Sequence, residues 1–118
     1  MTRAVLDPQI LRAAVWSLRA LRSVRRQLGS RPLPAVRVPD PPVLPQRAGR
    51  GVRAVLRRQD PTCLERSLVL QRWLSAQGVE RAVVVGVSAP GDFSAHAWLE
   101  GEPLPAGSAF HEIARLAP

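Results

Sequence analysis

The sequence predicts an α+β domain in which a cysteine-bearing helix packs on a short antiparallel sheet, preceded by an amphipathic helix and a proline-rich strap. Three observations predict it. Apolar residues recur at helical spacing over Pro8 to Leu28 and again after Pro61. A valine-rich run at Arg81 to Ser88 is followed by a turn signal and a second strand-like run. Between the helical patterns, Ser30 to Gln46 holds six of the twelve prolines, a density that denies helix and central-strand hydrogen bonds and favours extended backbone.

In the first helix Leu11, Ala14, Val15, Leu18, Leu21, Val24 and Leu28 form the apolar stripe, and Arg12, Arg19, Arg22 and Arg26 fall on another. Asp7 is placed to cap it, Pro8 suits its first turn, and Gly29 ends it where a left-handed residue is commonly wanted. After the strap, Val52, Val55 and Leu56 give a short helix over Arg50 to Arg58, before a break at Gln59 to Thr62. The next helix has Asp60 as its expected cap, Pro61 as its first residue, and Leu64, Leu68, Leu70, Trp73 and Leu74 as apolar positions, stopping at Gly78. Arg81 to Ser88 then reads as a buried strand, Ala89-Pro90-Gly91-Asp92 as a turn and Phe93 to Glu100 as the returning strand. For Phe110 to Leu116 the pattern leaves helix and coil both open. The chain thus divides into residues 1–46, helix and strap, and residues 47–118, the domain that carries the chemistry.

A length of 118 residues and an apolar fraction of 46% suit a single folded, water-soluble domain. The longest apolar stretches fall well short of the ~18 residues of a membrane span, and Asp7, Pro8 and Arg12 break any signal-like run at the front. A cytoplasmic location is expected. The lone Cys63 excludes an internal disulfide, and with only His96 and His111 beside it no ordinary zinc-ligand spacing assembles, so neither metal nor cofactor is expected. The formal charge of +8, carried by arginine without lysine, makes nucleic acid a rival partner. Against that rival stand the absence of tyrosine, only two phenylalanines for base stacking, and no zinc-finger, RNA-recognition or phosphate-loop pattern.

The chemistry points to Cys63 and His96. A cysteine in the first turn of a helix meets unpaired backbone N–H groups and the positive end of the helix dipole, which is the environment a thiolate nucleophile needs. His96, on the second strand of the hairpin, can take the thiol proton and return it to a leaving amine if that strand packs across the helix start. Trp98 shares a strand face with His96 and is either a shield for the pair or plain core; His111 carries no feature that favours catalysis.

Cys63-Leu64-Glu65-Arg66-Ser67-Leu68, then Val84-Val85-Gly86-Val87, then Ala95-His96-Ala97-Trp98-Leu99-Glu100 resemble the transglutaminase-like leader peptidases of lasso-peptide biosynthesis. The resemblance covers roughly Val52 to Leu116, and the first helix and strap are similar to the front end of stand-alone members. It implies a papain-like fold and a cysteine protease that removes the leader from a ribosomally made precursor peptide. Cys63 is then the nucleophile and His96 the base. It also implies two partners beside the precursor: a small leader-recognition protein and an ATP-dependent lasso cyclase.

The family's triad includes an aspartate that has no evident counterpart here. Glu100 shares the face of His96 but lies about 13 Å along the strand at ~3.3 Å per residue. A two-residue turn at Gly101-Glu102 pairs Glu100 with Pro103 and places His96 opposite Gly107. Ala106, Gly107 and Ser108 offer no carboxylate, which leaves Ser108, Glu102, Glu112, a carbonyl or water as substitutes. A catalytically weak precursor-binding scaffold and an acyl-transferring transglutaminase are the alternative functions.

Overall fold

The computed structural model describes residues 7–88, 94–104 and 110–118. Among these, three helices, α1 (Pro8–Leu28), α2 (Gly49–Gln59) and α3 (Cys63–Ala76), precede an antiparallel sheet of β1 (Val83–Ser88), β2 (Ala95–Leu99) and β3 (Phe110–Leu116) in the order β2-β1-β3. The expected α+β architecture is present. No helix among the described residues is long and apolar enough to cross a membrane.

Helix α1 starts as its sequence dictates, with the Asp7 carboxylate accepting the Gln9 N–H at 2.9 Å and Pro8 in the first turn. Its core face is rotated from the expected stripe. Ala13, Trp16, Ser17, Ala20, Leu21 and Val24 are buried, whereas Leu11 and Val15 are 48% and 51% exposed. Small residues on a helix let a neighbouring backbone come close where leucine would hold it off. Gly29 does end the helix, but in a right-handed conformation with φ of −78°.

The close approach is completed from α2. A Cβ built on Gly51 would lie 2.2 Å from the Ile10 carbonyl oxygen and 3.0 Å from the Ala14 nitrogen, both backbone atoms of α1. In an open helix Gly→Ala adds up to ~1 kcal/mol of stability. Overpacking costs about 1–3 kcal/mol, and here the obstacle is a rigid helix backbone. Gly51→Ala is therefore expected to lower the thermal midpoint; a midpoint at or above that of the wild type would show that α1 and α2 are not in such contact.

The start of α3 differs from expectation. Thr62, not Asp60, caps it: Thr62 Oγ1 accepts the Glu65 N–H at 3.2 Å, and the Glu65 carboxylate accepts the Thr62 N–H at 3.0 Å. Only Thr62 has a glutamate three residues on, so only it can form this reciprocal capping box. Asp60 instead closes α2 in the left-handed region, φ 47°, which aspartate tolerates better than most residues. Pro61 precedes the helix, and Cys63 becomes its first residue.

One hydrophobic cluster joins α1, the strap residues Val36 and Leu44, α2, α3 and the inner face of the sheet. Trp16 and Trp73 meet at its centre, ring centroids 6.0 Å apart. Within it the Gln71 side chain donates to the carbonyls of Arg81 and Leu116, each at 2.9 Å, tying α3 to β3 and to the segment that leads into β1. On the sheet, Val83 and Val85 of β1 stand opposite Leu99 and Ala97 of β2. The tail, open between helix and coil from its pattern, is the strand β3, paired to β1 with an irregularity between Val85 and Gly86. The turn at residues 89–92 lies outside the described residues.

Candidate active site

The sheet order makes β2 an edge strand, so every second backbone N–H along it points away from β1. Side chains from outside the sheet receive two of them. Cys63 Sγ accepts the Ala97 N–H at 3.3 Å, and Glu102 Oε1 accepts the Leu99 N–H at 2.9 Å. The outer edge of β2 therefore lies across the start of α3, with the half-buried Cys63 thiol against the residue next to His96.

His96 belongs to the outer face of the sheet, opposite Gly86 of β1. Its ring stacks on Trp98, centroids 5.7 Å apart, and on Phe110 of β3 at 5.4 Å, while Trp98 and Phe110 meet at 5.8 Å. Gly86 lets this cluster close, because a Cβ there would come within 3.0 Å of the Trp98 ring and 3.1 Å of Phe110 Cβ. Trp98 is thus half-buried beside His96 and outside the main core. Among the described residues no hydrogen bond joins Cys63 Sγ to the imidazole. His111 is exposed on β3.

The expected pairing of His96 with Gly107 falls on a position outside the described residues. β1 lies between β2 and β3, and the partner of His96 on the adjacent strand is Gly86. The chain turns one residue earlier than expected: the Glu102 N–H donates to the Leu99 carbonyl at 3.0 Å, with Gly101 at φ +93°. Pro103 then lacks the N–H that a returning ladder requires. Ala106, Gly107 and Ser108 lie outside the described residues.

Of the carboxylates considered as substitutes, Glu112 is two strands from His96 and is held by Arg115 at 2.8 Å. Glu100, already too distant, is held by the same guanidinium at 2.7 Å. Glu102 is the acid at the site. Burial opposes its ionisation, but the Leu99 N–H, the Arg66 guanidinium and the charge of His96 together hold its carboxyl below the ordinary value of 4.5. Oε1 accepts the Leu99 N–H and Oε2 the Arg66 guanidinium at 3.2 Å, and neither is hydrogen-bonded to the imidazole. Arg66 was not singled out from sequence; its position three residues after Cys63, on the same side of α3, is the signal that marks it.

A carboxyl with a lowered folded-state value adds stability that is complete above its unfolded value and is lost as pH falls through the folded one. The stability difference between wild type and Glu102→Gln is accordingly expected at neutral pH and to vanish on acidification well below 4.5. Urea unfolding of both proteins across that range checks it; a difference that persists at the acid end would mean the carboxylate charge is not what holds the β2 edge.

A model of the transglutaminase-like superfamily matches residues 9–116, spanning all three helices and all three strands. Searches of curated proteins and of solved structures found no match. The superfamily's cysteine-protease-like fold supports chemistry of a general cysteine peptidase or acyltransferase kind, consistent with a cysteine at a helix start beside a histidine-bearing strand. The chain belongs to the transglutaminase-like superfamily.

Proposed function

We propose that this chain is a cysteine peptidase that removes the leader from a ribosomally made lasso-peptide precursor. The observation that carries the reading is the contact of Cys63 Sγ, at the first residue of a capped helix, with the backbone next to His96 on an edge strand.

In this reading His96 takes the Cys63 proton as the sulfur attacks the leader's last carbonyl carbon. The oxyanion that forms meets the Cys63 amide, which has no intrahelical acceptor at the first helical position. Collapse of the intermediate breaks the peptide bond. His96 gives its proton to the leaving amine of the core peptide, and the leader remains as a thioester on Cys63. Water, deprotonated by His96, then releases the leader acid and restores the thiol. The imidazole must leave its stack on Trp98 and Phe110, or tilt within it, to reach the sulfur.

A second reading is favoured by one observation: no carboxylate hydrogen-bonds the His96 ring among the described residues. A chain of that kind binds precursor without cutting it. Mass spectrometry of the precursor incubated with this protein separates the readings. A leader and a core peptide support the peptidase, an unchanged precursor supports the scaffold, and a cross-link with loss of ammonia supports a transglutaminase. The expected cleavage depends on the small leader-recognition protein that the resemblance implies, and its product then passes to the ATP-dependent cyclase.

A further inference from the structure

The exposed side of α1 and the strap enclose a groove of about 1240 Å³, larger than the roughly 300–1,000 Å³ typical of small-molecule pockets. Its lining extends from Leu11 to Arg26 along α1, about 22 Å at ~1.5 Å per residue. That is the length of six or seven residues of extended peptide at ~3.3 Å each. The strap wall is fixed by the Trp16 indole N–H, which donates to the Pro39 carbonyl at 3.1 Å.

The groove has two chemistries. At one end the lining holds the exposed Leu11 and Val15, and the strap contributes Pro41 and Pro42. Arg12 stands between Leu11 and Val15, and Arg19, Arg22 and Arg26 follow along the rest; none of the four has a carboxylate partner among the described residues. The single acid in the lining, Asp40, already lies 3.1 Å from the Arg72 guanidinium, in a contact too oblique for a hydrogen bond. The basic end adjoins the start of α3: Arg25, also in the lining, donates to the Gln59 carbonyl at 3.1 Å and to Glu65 at 3.3 Å, two residues from Cys63.

We propose that this groove is an exosite for an acidic stretch of the same peptide that the Cys63 site cuts. Carboxylates of an extended segment pair with Arg19, Arg22 and Arg26, and an apolar side chain of that segment covers Leu11 and Val15. The proposal rests on the peptidase reading for the identity of the peptide. Nucleic acid would use the arginines but leave the apolar end bare, and it would find no stacking platform, because Trp16 is only 6% exposed.

The first test uses a fluorescein-labelled decapeptide carrying four glutamates and two leucines, with Cys63→Ala protein so that nothing is cut. Anisotropy is expected to show saturable binding that weakens with salt, about tenfold or more with Arg19→Glu/Arg22→Glu, and also with Val15→Ser. A glutamine-for-glutamate version should not bind. Both variants alter exposed residues, so an unchanged thermal midpoint certifies the fold. Equal binding by the charge-reversed protein, or tighter binding of a deoxythymidine decamer that displaces the peptide, would overturn the proposal. The second test reads precursor cleavage, where the charge reversal should raise KM about tenfold with kcat unchanged. An unchanged KM also overturns it. If the wild type cuts no precursor, the peptidase reading fails while the anisotropy still decides the groove.

Discussion

Cys63→Ala is expected to abolish leader cleavage, a loss on the order of 10⁶ by comparison with nucleophile removal in a serine triad, while the fold survives. The two expectations have separate causes. The thiol is the only group on this chain placed to form the thioester, so its removal leaves no covalent route. Its structural share is small: a half-buried sulfur accepts one strand-edge N–H, while the Thr62 and Glu65 capping box that starts α3 is untouched. Alanine is also the best helix former at the vacated position. Circular dichroism should therefore be unchanged, and the thermal midpoint should shift by a few degrees at most. Cleavage by the variant at a measurable fraction of the wild-type rate would remove Cys63 from the mechanism.

His96→Ala is expected to lower kcat by on the order of a hundredfold or more, the usual worth of a positioned general base. KM should change little, because the imidazole handles a proton and does not grip the substrate. The variant also loses its stack on Trp98 and Phe110, so a modest loss of stability accompanies it. His96→Phe separates the two effects, since it keeps an aromatic ring over Gly86 without a titratable nitrogen. It should restore most of the stability and none of the activity. Recovery of turnover by phenylalanine would reduce His96 to a packing residue.

Much of this arrangement was legible in the sequence, for reasons that differ by element. The three helices announce themselves by apolar spacing and by breakers at Pro8, Asp60-Pro61 and Gly78, and β1 by its run of valines. Errors gathered where two local signals compete. Asp60-Pro61 and Thr62-to-Glu65 are both helix-start signals, and the reciprocal pair prevailed. On α1 the expected stripe was only partly right, because neighbours choose the buried face: Gly51 closes on the backbone of Ile10 and Ala14, and Leu11 and Val15 are left exposed.

Strand β3 was illegible because most of its side chains are exposed on an edge, so alternation is weak in Phe110-His111-Glu112-Ile113-Ala114-Arg115-Leu116. Without β3 the second partner of β1 cannot be read, since which strand joins a sheet at its other side is a long-range choice. The pairing of Cys63 with the strand of His96 was anticipated as a condition of function. The device that achieves it, a thiol accepting an edge-strand N–H with Glu102 and Arg66 capping the next position, depends on tertiary placement alone.

The most direct test of the central claim is the intact mass of the protein after brief incubation with precursor and rapid acid quench. The account predicts a species heavier than the free chain by the leader fragment less one water, mapped to Cys63 and absent from Cys63→Ala. It should accumulate when deacylation is slow and decay to free enzyme and leader acid on longer incubation. Leader release with no adduct on Cys63 at any time, or an adduct that survives in Cys63→Ala, would contradict it.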